Sequence, residues 1–229
     1  MIRTLIVDDD RLVRVALTDI LDDDPGITVV AQAGDGREAL EVAAAQSVDV
    51  ALMDVRMPRL DGIAATRGLR ALPRPPQVVL LTTFDLDQYV YDGLAAGASG
   101  FLLKDADPSD IVRAVHVVAE GQAMLHPVAA RRLVDRYHRS AGGRTQAARA
   151  RIERLTPRER DVLELLADGA SNAEIAAVLG MRESTVKAHV SRILAALEVG
   201  NRVQAALCVR DAGLHGGDAR EHGRDSREY

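Results

Sequence analysis

Cysteine is nearly missing from this chain of 229 residues, where Cys208 stands alone. No intrachain disulfide can form, and a zinc site built on several cysteines is excluded. A reducing, cytosolic setting is the natural expectation. Long apolar runs are also lacking. None approaches the roughly 18 residues of a membrane span, so no membrane association is expected. The chain enters "MIRTLIVDDD" with no signal-peptide pattern. No internal repeat is present. Lysine is the last scarcity: all but two of the 29 basic residues are arginine, the exceptions being Lys104 and Lys187.

What is present divides in two. The net charge of −5 hides an acidic part, with 11 basic against 20 acidic residues in 1–125, and a basic part, with 18 against 14 in 126–229. Two modules are implied, the second suited to a polyanion. In the first, the apolar runs "TLIV" (4–7), "ITVVA" (27–31), "VDVALM" (48–53), "VVLLT" (78–82) and "FLL" (101–103) read as strands buried on both faces. Helical patterns over 12–21, 37–45, 63–72, 86–96 and 111–119 separate them. Such alternation predicts an α/β domain with a five-stranded parallel, doubly wound sheet.

Ligands of open parallel sheets bind beyond the carboxyl ends of the strands. There stand Asp8 and Asp9, Asp54, Thr82 and Lys104. Clustered carboxylates repel one another, and a hard divalent cation relieves that cost; an oxygen-only donor set favours Mg²⁺ over zinc. A carboxylate beside Mg²⁺ can attack a phosphoryl group, giving an aspartyl phosphate. Phosphoryl transfer then needs charge stabilisation on the equatorial oxygens, from a hydroxyl such as Thr82 and a compact ammonium such as Lys104. Lysine is a point charge, whereas guanidinium is a planar fork made for bidentate pairs. Asp10 reads as a solvated residue.

The segments "IVDDD", "LMDVRMPRLDG", "LLTTFD" and "GASGFLLKD" resemble the receiver domain of bacterial two-component response regulators over about residues 2–120. The resemblance implies the flavodoxin-like fold, Asp54 as phosphoacceptor, and Mg²⁺ held by Asp8, Asp9, Asp54 and the backbone carbonyl of Arg56. It also implies Thr82 and Lys104 as phosphoryl contacts and Phe101 as an aromatic switch. Where the family often has proline after the lysine, Asp105 follows here. A Mg²⁺-dependent phosphatase is the rival reading. Such enzymes place a general acid two residues after the nucleophile, and Arg56 occupies that position. The domain is therefore expected to phosphorylate itself and hydrolyse slowly, without acting as a turnover enzyme. A constitutive DNA binder with a decayed receiver is the other rival, and it would lack one of the pocket residues.

The second module reads as all helical. "TPRE" (156–159) and "SNAE" (171–174) are capping boxes, the first with proline at the first helical position. Two helices flanking Gly180-Met181 match a helix-turn-helix. In the second, Val186, Val190, Ile193, Leu194 and Leu197 share a core face, and Lys187, Ala188, Ser191 and Arg192 project outward. A recognition helix sends such residues into the major groove, where lysine reaches guanine O6 and N7. The segment from Leu155 to Val199 resembles the LuxR-type DNA-binding domain, and with the receiver it resembles a NarL/FixJ-type response regulator.

That likeness implies Lys187, Ala188 and Ser191 facing bases, Thr185, His189 and Arg192 nearer phosphates, and a dimer contact from the last helix around 203–212. Ser191 replaces a basic residue common among relatives, so weaker, less salt-dependent DNA binding is expected. The expected partners are a sensor histidine kinase, a two-fold related double-stranded DNA site and, on phosphorylation, a second copy of the chain. The expected location is the cytoplasm. The expected domains are a receiver over 1–122, a linker with a helix over 123–150, an all-α four-helix domain over 151–214 and a disordered tail over 215–229. Within the linker, 129–139 reads as helix and 140–151 as flexible and basic; Arg149, Arg151 and Arg154 read as solvated. Cys208 reads as buried and structural.

Overall fold

The structure is a computed structural model that describes residues 1–82, 86–125, 130 and 145–214. The first module is a parallel sheet wrapped by helices. Its strands are β1 (Ile2–Val7), β2 (Ile27–Ala33), β3 (Val50–Asp54), β4 (Gln77–Thr82) and β5 (Gly100–Leu103). They alternate with α1 (Arg11–Asp22), α2 (Gly36–Ala45), α3 (Gly62–Arg70), α4 (Leu86–Ala96) and α5 (Pro108–Ala119). The order β2-β1-β3-β4-β5 is the doubly wound one expected.

Period-two alternation sorts the strand residues between two cores. Leu5, Val7, Ala51, Met53, Val78 and Leu80 join the layer that holds Ala65, Leu69, Val90 and Leu94 of α3 and α4. Ile6, Val50, Leu52, Val79 and Leu81 face Leu17, Leu21, Ile111 and Val115 of α1 and α5. Both faces are covered, so the central strands read as unbroken apolar runs. Asp10, read as solvated, is exposed but serves as the N-cap of α1, its side chain accepting from Leu12 N at 2.8 Å.

The sheet has six strands where five are expected. Gly121, at φ 79°, turns the chain back after α5, and β6 (Met124–Leu125) pairs parallel with β5. A two-residue strand carries no periodicity to read.

The second module consists, among the described residues, of α6 (Thr145–Glu153), α7 (Pro157–Ala167), α8 (Asn172–Leu179), α9 (Glu183–Leu197) and α10 (Arg202–Asp211). Both capping boxes form, Thr156 with Glu159 and Ser171 with Glu174. Each cap is worth about 1 kcal/mol. Gly180 ends α8 at φ 63°, the left-handed turn that glycine adopts without cost.

The expected flexible linker over 140–151 is corrected for its described part, because α6 occupies it. Ala148 and Ile152 are buried with Leu163, Val209 and Ala212. Arg149 and Arg154 are exposed, as expected, and Arg151 is half-buried; Arg149 Nε donates to Ala212 O at 2.7 Å, and Arg151 and Arg154 lie 3.7 and 3.6 Å from Glu198. The four-helix domain thus has a fifth helix. The helix expected over 129–139 and the tail over 215–229 lie outside the described residues, apart from the single position 130. Cys208 is buried, as expected, and burial pushes its thiol pKa up.

Candidate functional site

Three strand ends meet at one edge of the sheet. Asp8 follows β1, Asp54 is the last residue of β3, and Lys104 follows β5 with its backbone N–H bonded to Thr82 O at 2.8 Å. Asp8, Asp54 and Thr82 are all buried, and Asp9 is exposed at the rim. Lys104 Nζ lies 2.6 Å from Asp8 Oδ2 and 3.1 Å from Asp54 Oδ1. The Asp8 contact is an ion pair with a fully buried carboxylate. Asp8 Oδ1 accepts from Asp10 N at 2.9 Å, and Arg14 donates to Asp8 O at 2.6 Å, which fixes the β1–α1 turn.

Gly62 places Asp54. A Cβ at position 62 would stand 2.0 Å from Asp54 O, so only glycine lets α3 start this close to the end of β3. Gly62 N donates to Val55 O at 3.0 Å, locking the connection.

Charges in this pocket oppose one another. Burial raises the Asp54 pKa, Asp8 adds to the rise, and Lys104 and the Arg56 N–H act against it. For Lys104, burial alone would lower the pKa, but Asp8 and Asp54 outweigh it and hold the ammonium charged. Oxygens of Asp8, Asp9 and Asp54 lie within 4.8 Å of one another, so the cluster could bind a metal ion. The donor set fits a hard cation: all oxygen, two of the three groups buried, with one carboxylate destabilised as an anion by its surroundings.

Thr82 is buried at the end of β4, beside this edge. Phe101 is fully buried on β5, its ring against α4: a Cβ on Gly93 would stand 2.6 Å from Phe101 Cζ. The Arg56 side chain lies over Tyr89, its carbon 5.2 Å from the ring centroid and its Nε donating to Tyr89 OH at 3.0 Å. Sequence reasoning missed this pair, which needs α4 to pack beside the β3–α3 connection.

On α9 the expected two faces are realised. Val186, Ile193 and Leu197 are buried; Thr185, Lys187, Ala188, Ser191 and Arg192 are exposed, with His189 between the two. Several of these side chains are already engaged. Lys187 Nζ pairs with Glu183 at 2.9 Å, Arg192 meets His189 at 3.0 Å, and Ser191 donates to Lys187 O at 3.0 Å.

The two modules are docked, and sequence reasoning did not foresee the contacts. Asn201, buried at the N-cap of α10, donates to Leu94 O and Ala98 O at 3.0 and 2.8 Å, and Gln204 also donates to Leu94 O. Asn172 donates to Glu120 O at 2.6 Å and Arg202 to Gly121 O at 2.9 Å. Lys187, Val190, Ser191 and Leu194 line a crevice whose opposite wall includes Arg70, Gln77 and Ser99 of the first module. Of the outward residues of α9, Lys187 and Ser191 therefore look at the first module; Thr185, Ala188, His189 and Arg192 do not line the crevice.

Comparison with known proteins agrees with this division. Residues 4–116 match the response regulator receiver domain, and residues 153–209 match the bacterial regulatory proteins of the luxR family. The chain is 38% identical to the uncharacterized transcriptional regulatory protein YxjL of Bacillus subtilis, over 90% of this chain and 94% of that one. It is 35% identical to the nitrate/nitrite response regulator protein NarL of Escherichia coli, over 90% and 93%. Among solved structures it resembles the response regulator ChrA of a heme-sensing two-component system, at 38% identity and a TM-score of 0.50, covering 93% of this chain and 98% of that one. No helix among the described residues is long and apolar enough to cross a membrane.

Proposed function

The chain belongs to the two-component response regulators that join a receiver domain to a LuxR-type DNA-binding domain, and on that footing we propose that Asp54 is the phosphoacceptor of a phosphorylation-switched transcriptional regulator. The carrying observation is the convergence of Asp8, Asp54 and Lys104 at one sheet edge, with Lys104 Nζ 3.1 Å from Asp54. The donor is the phosphohistidine of a sensor histidine kinase. An Asp54 carboxylate oxygen bonds to phosphorus as the phosphorus–nitrogen bond breaks, and the electron pair returns to the imidazole. Lys104 favours the ionised form of Asp54 against the burial that raises its pKa and then meets a phosphoryl oxygen, and the Thr82 hydroxyl donates to another. Asp8, Asp9, Asp54 and the Arg56 carbonyl would hold Mg²⁺, which neutralises charge on the transferring group.

The response runs through α4. Phe101 packs on Gly93, and the next residue, Leu94, offers the carbonyl that Asn201 and Gln204 hold. Drawing Thr82 toward the phosphoryl group frees space for the ring, shifts α4 and loosens the output domain, a local charge event biasing a two-state interface. Released, Lys187, Ala188 and Ser191 reach base edges, with Thr185, His189 and Arg192 at phosphates. Dimers formed through α10 read a two-fold related DNA site in the cytoplasm. With Arg56 where a phosphatase would carry its acid, the aspartyl phosphate decays slowly and the receiver acts as a timer.

Acetyl phosphate with Mg²⁺ should add one phosphoryl group, seen by intact-mass spectrometry, and shift the protein toward dimer in sedimentation. Asp54→Asn should fold normally and lose phosphorylation by about a hundredfold or more. Phosphorylation and dimerisation persisting in that variant would remove Asp54 from the role.

A further inference from the structure

The crevice between the two domains carries an unbalanced charge. Its volume is about 250 Å³, and its walls include Arg70, Lys187 and Arg202 but no aspartate or glutamate. Lys187 pairs with Glu183 outside the lining, and Arg202 donates to Gly121 O and Ala170 O at 2.9 and 2.6 Å. Arg70, at the end of α3, has much less. Its hydrogen bond among the described residues is a 3.5 Å contact from Nη1 to Pro76 O, and its Nε is buried without a partner. No carboxylate among those residues pairs with it. Burial pulls its guanidinium pKa below the ordinary arginine value, with no anion to offset the pull. A half-buried cation with no carboxylate beside it is costly to keep.

A second observation comes from the opposite wall. Asn172, at the start of α8, is 3% exposed. Its Nδ2 donates to Glu120 O, and its Oδ1 is buried without a donor. The crevice is thus lined by the Arg70 guanidinium and the Lys187 ammonium, with no carboxylate beside them, and by Asn172, whose Oδ1 lacks a hydrogen-bond donor. Lys187 can serve here because an ammonium has three donors and Glu183 takes one direction.

We propose that this interdomain crevice binds hydrogen phosphate, with Arg70 and Lys187 meeting its anionic oxygens and its remaining O–H donating to Asn172. A tetrahedral oxyanion with one hydroxyl supplies both missing interactions at once. Sulfate, fully ionised at neutral pH, supplies only the charge. Because Arg70 belongs to the receiver and Lys187 to α9, bound phosphate bridges the domains. It holds Lys187 away from DNA, a consequence that rests on the reading of Lys187 as a base-facing residue; the binding site itself does not.

The test is an NMR titration of the ¹⁵N-labelled full-length protein, free of Mg²⁺, with inorganic phosphate against sodium chloride of matched ionic strength. Saturable shifts are expected at the amides of Ser99, Gly121, Asn172 and Ser191. Arg70→Gln should weaken binding about tenfold or more, and Arg70→Lys, which keeps the charge, should retain most of it. Phosphate should also lower DNA affinity more than matched chloride does in the wild type, and this excess should vanish in Arg70→Gln. Shifts that only follow ionic strength, equal affinity in Arg70→Gln, or sulfate binding as tightly as phosphate overturn the site. A protein that binds phosphate as described but no DNA strikes at the proposed function and leaves the crevice standing.

Discussion

The pocket at the sheet edge and the outward face of α9 are the two places that the proposed function assigns to phosphoryl transfer and to DNA, and they are built by opposite means. In the pocket, functional groups sit at strand ends, buried and held by one another: Lys104 is within 3.1 Å of both Asp8 and Asp54. On α9 the groups are exposed or half-buried, and what limits Lys187 and Ser191 is the first domain across the crevice. A reaction centre must hold reacting groups in place before substrate arrives, and neighbouring strands do that. A DNA-reading surface needs only helical spacing, so access to it can be governed from outside.

Breaking the pocket's rigidity should have the largest effect. Gly62→Ala places a methyl 2.0 Å from Asp54 O and should cost about 3 kcal/mol or more in chemical denaturation, because backbone must move. Phosphorylation should fall with it, while the helical domain keeps its circular dichroism signal. Second in size is Lys104→Arg. A planar fork does not reproduce a point charge shared between two carboxylates, so phosphorylation-driven dimerisation should drop about tenfold with little change in melting temperature. Equal dimerisation in that variant would show that any cation suffices.

On the other side of the comparison, Gln204→Ala removes a hydrogen bond between the domains and leaves the outward face of α9 intact. One such bond contributes about 1 kcal/mol net, so unphosphorylated protein should bind DNA a few-fold more tightly by fluorescence anisotropy. Unchanged affinity would mean that the contact does not restrain α9. The smallest effect concerns the metal. Saturating Mg²⁺ should raise the melting temperature by about 2–4 °C, the shift for ~1 kcal/mol in a chain of this size. Asp8→Asn, which removes one of the clustered carboxylates, should abolish that rise.

The pocket was legible before any coordinates because a parallel sheet delivers strand-end residues to one edge, and Asp8, Asp9, Asp54, Thr82 and Lys104 all occupy strand ends or the positions just after them. The helix-turn-helix was legible because its capping boxes, the glycine turn and the core face of α9 carry their own spacing. Residues 145–151 read as linker because the helix "TQAARARIE" they belong to offers the core only Ala148 and Ile152. Without α7 and α10 to pack on, that pattern is indistinguishable from a basic linker. The β6 strand was invisible for want of length.

By itself, then, the sequence determined two modules, the parallel sheet of one, the helical character of the other, and which side chains gather at the acidic edge. Those features follow from local periodicity and from a connection rule that holds whatever lies nearby. How the modules face each other was decided only by the tertiary structure. Asn172, Asn201, Arg202 and Gln204 bond to the main-chain carbonyls of Glu120, Leu94, Ala98 and Gly121. A carbonyl is common to every residue, so no side chain on the receiving surface announces the contact. The unbalanced charge of Arg70 came into view for the same reason: burial between two domains is a property of their packing, and no single stretch of chain contains it.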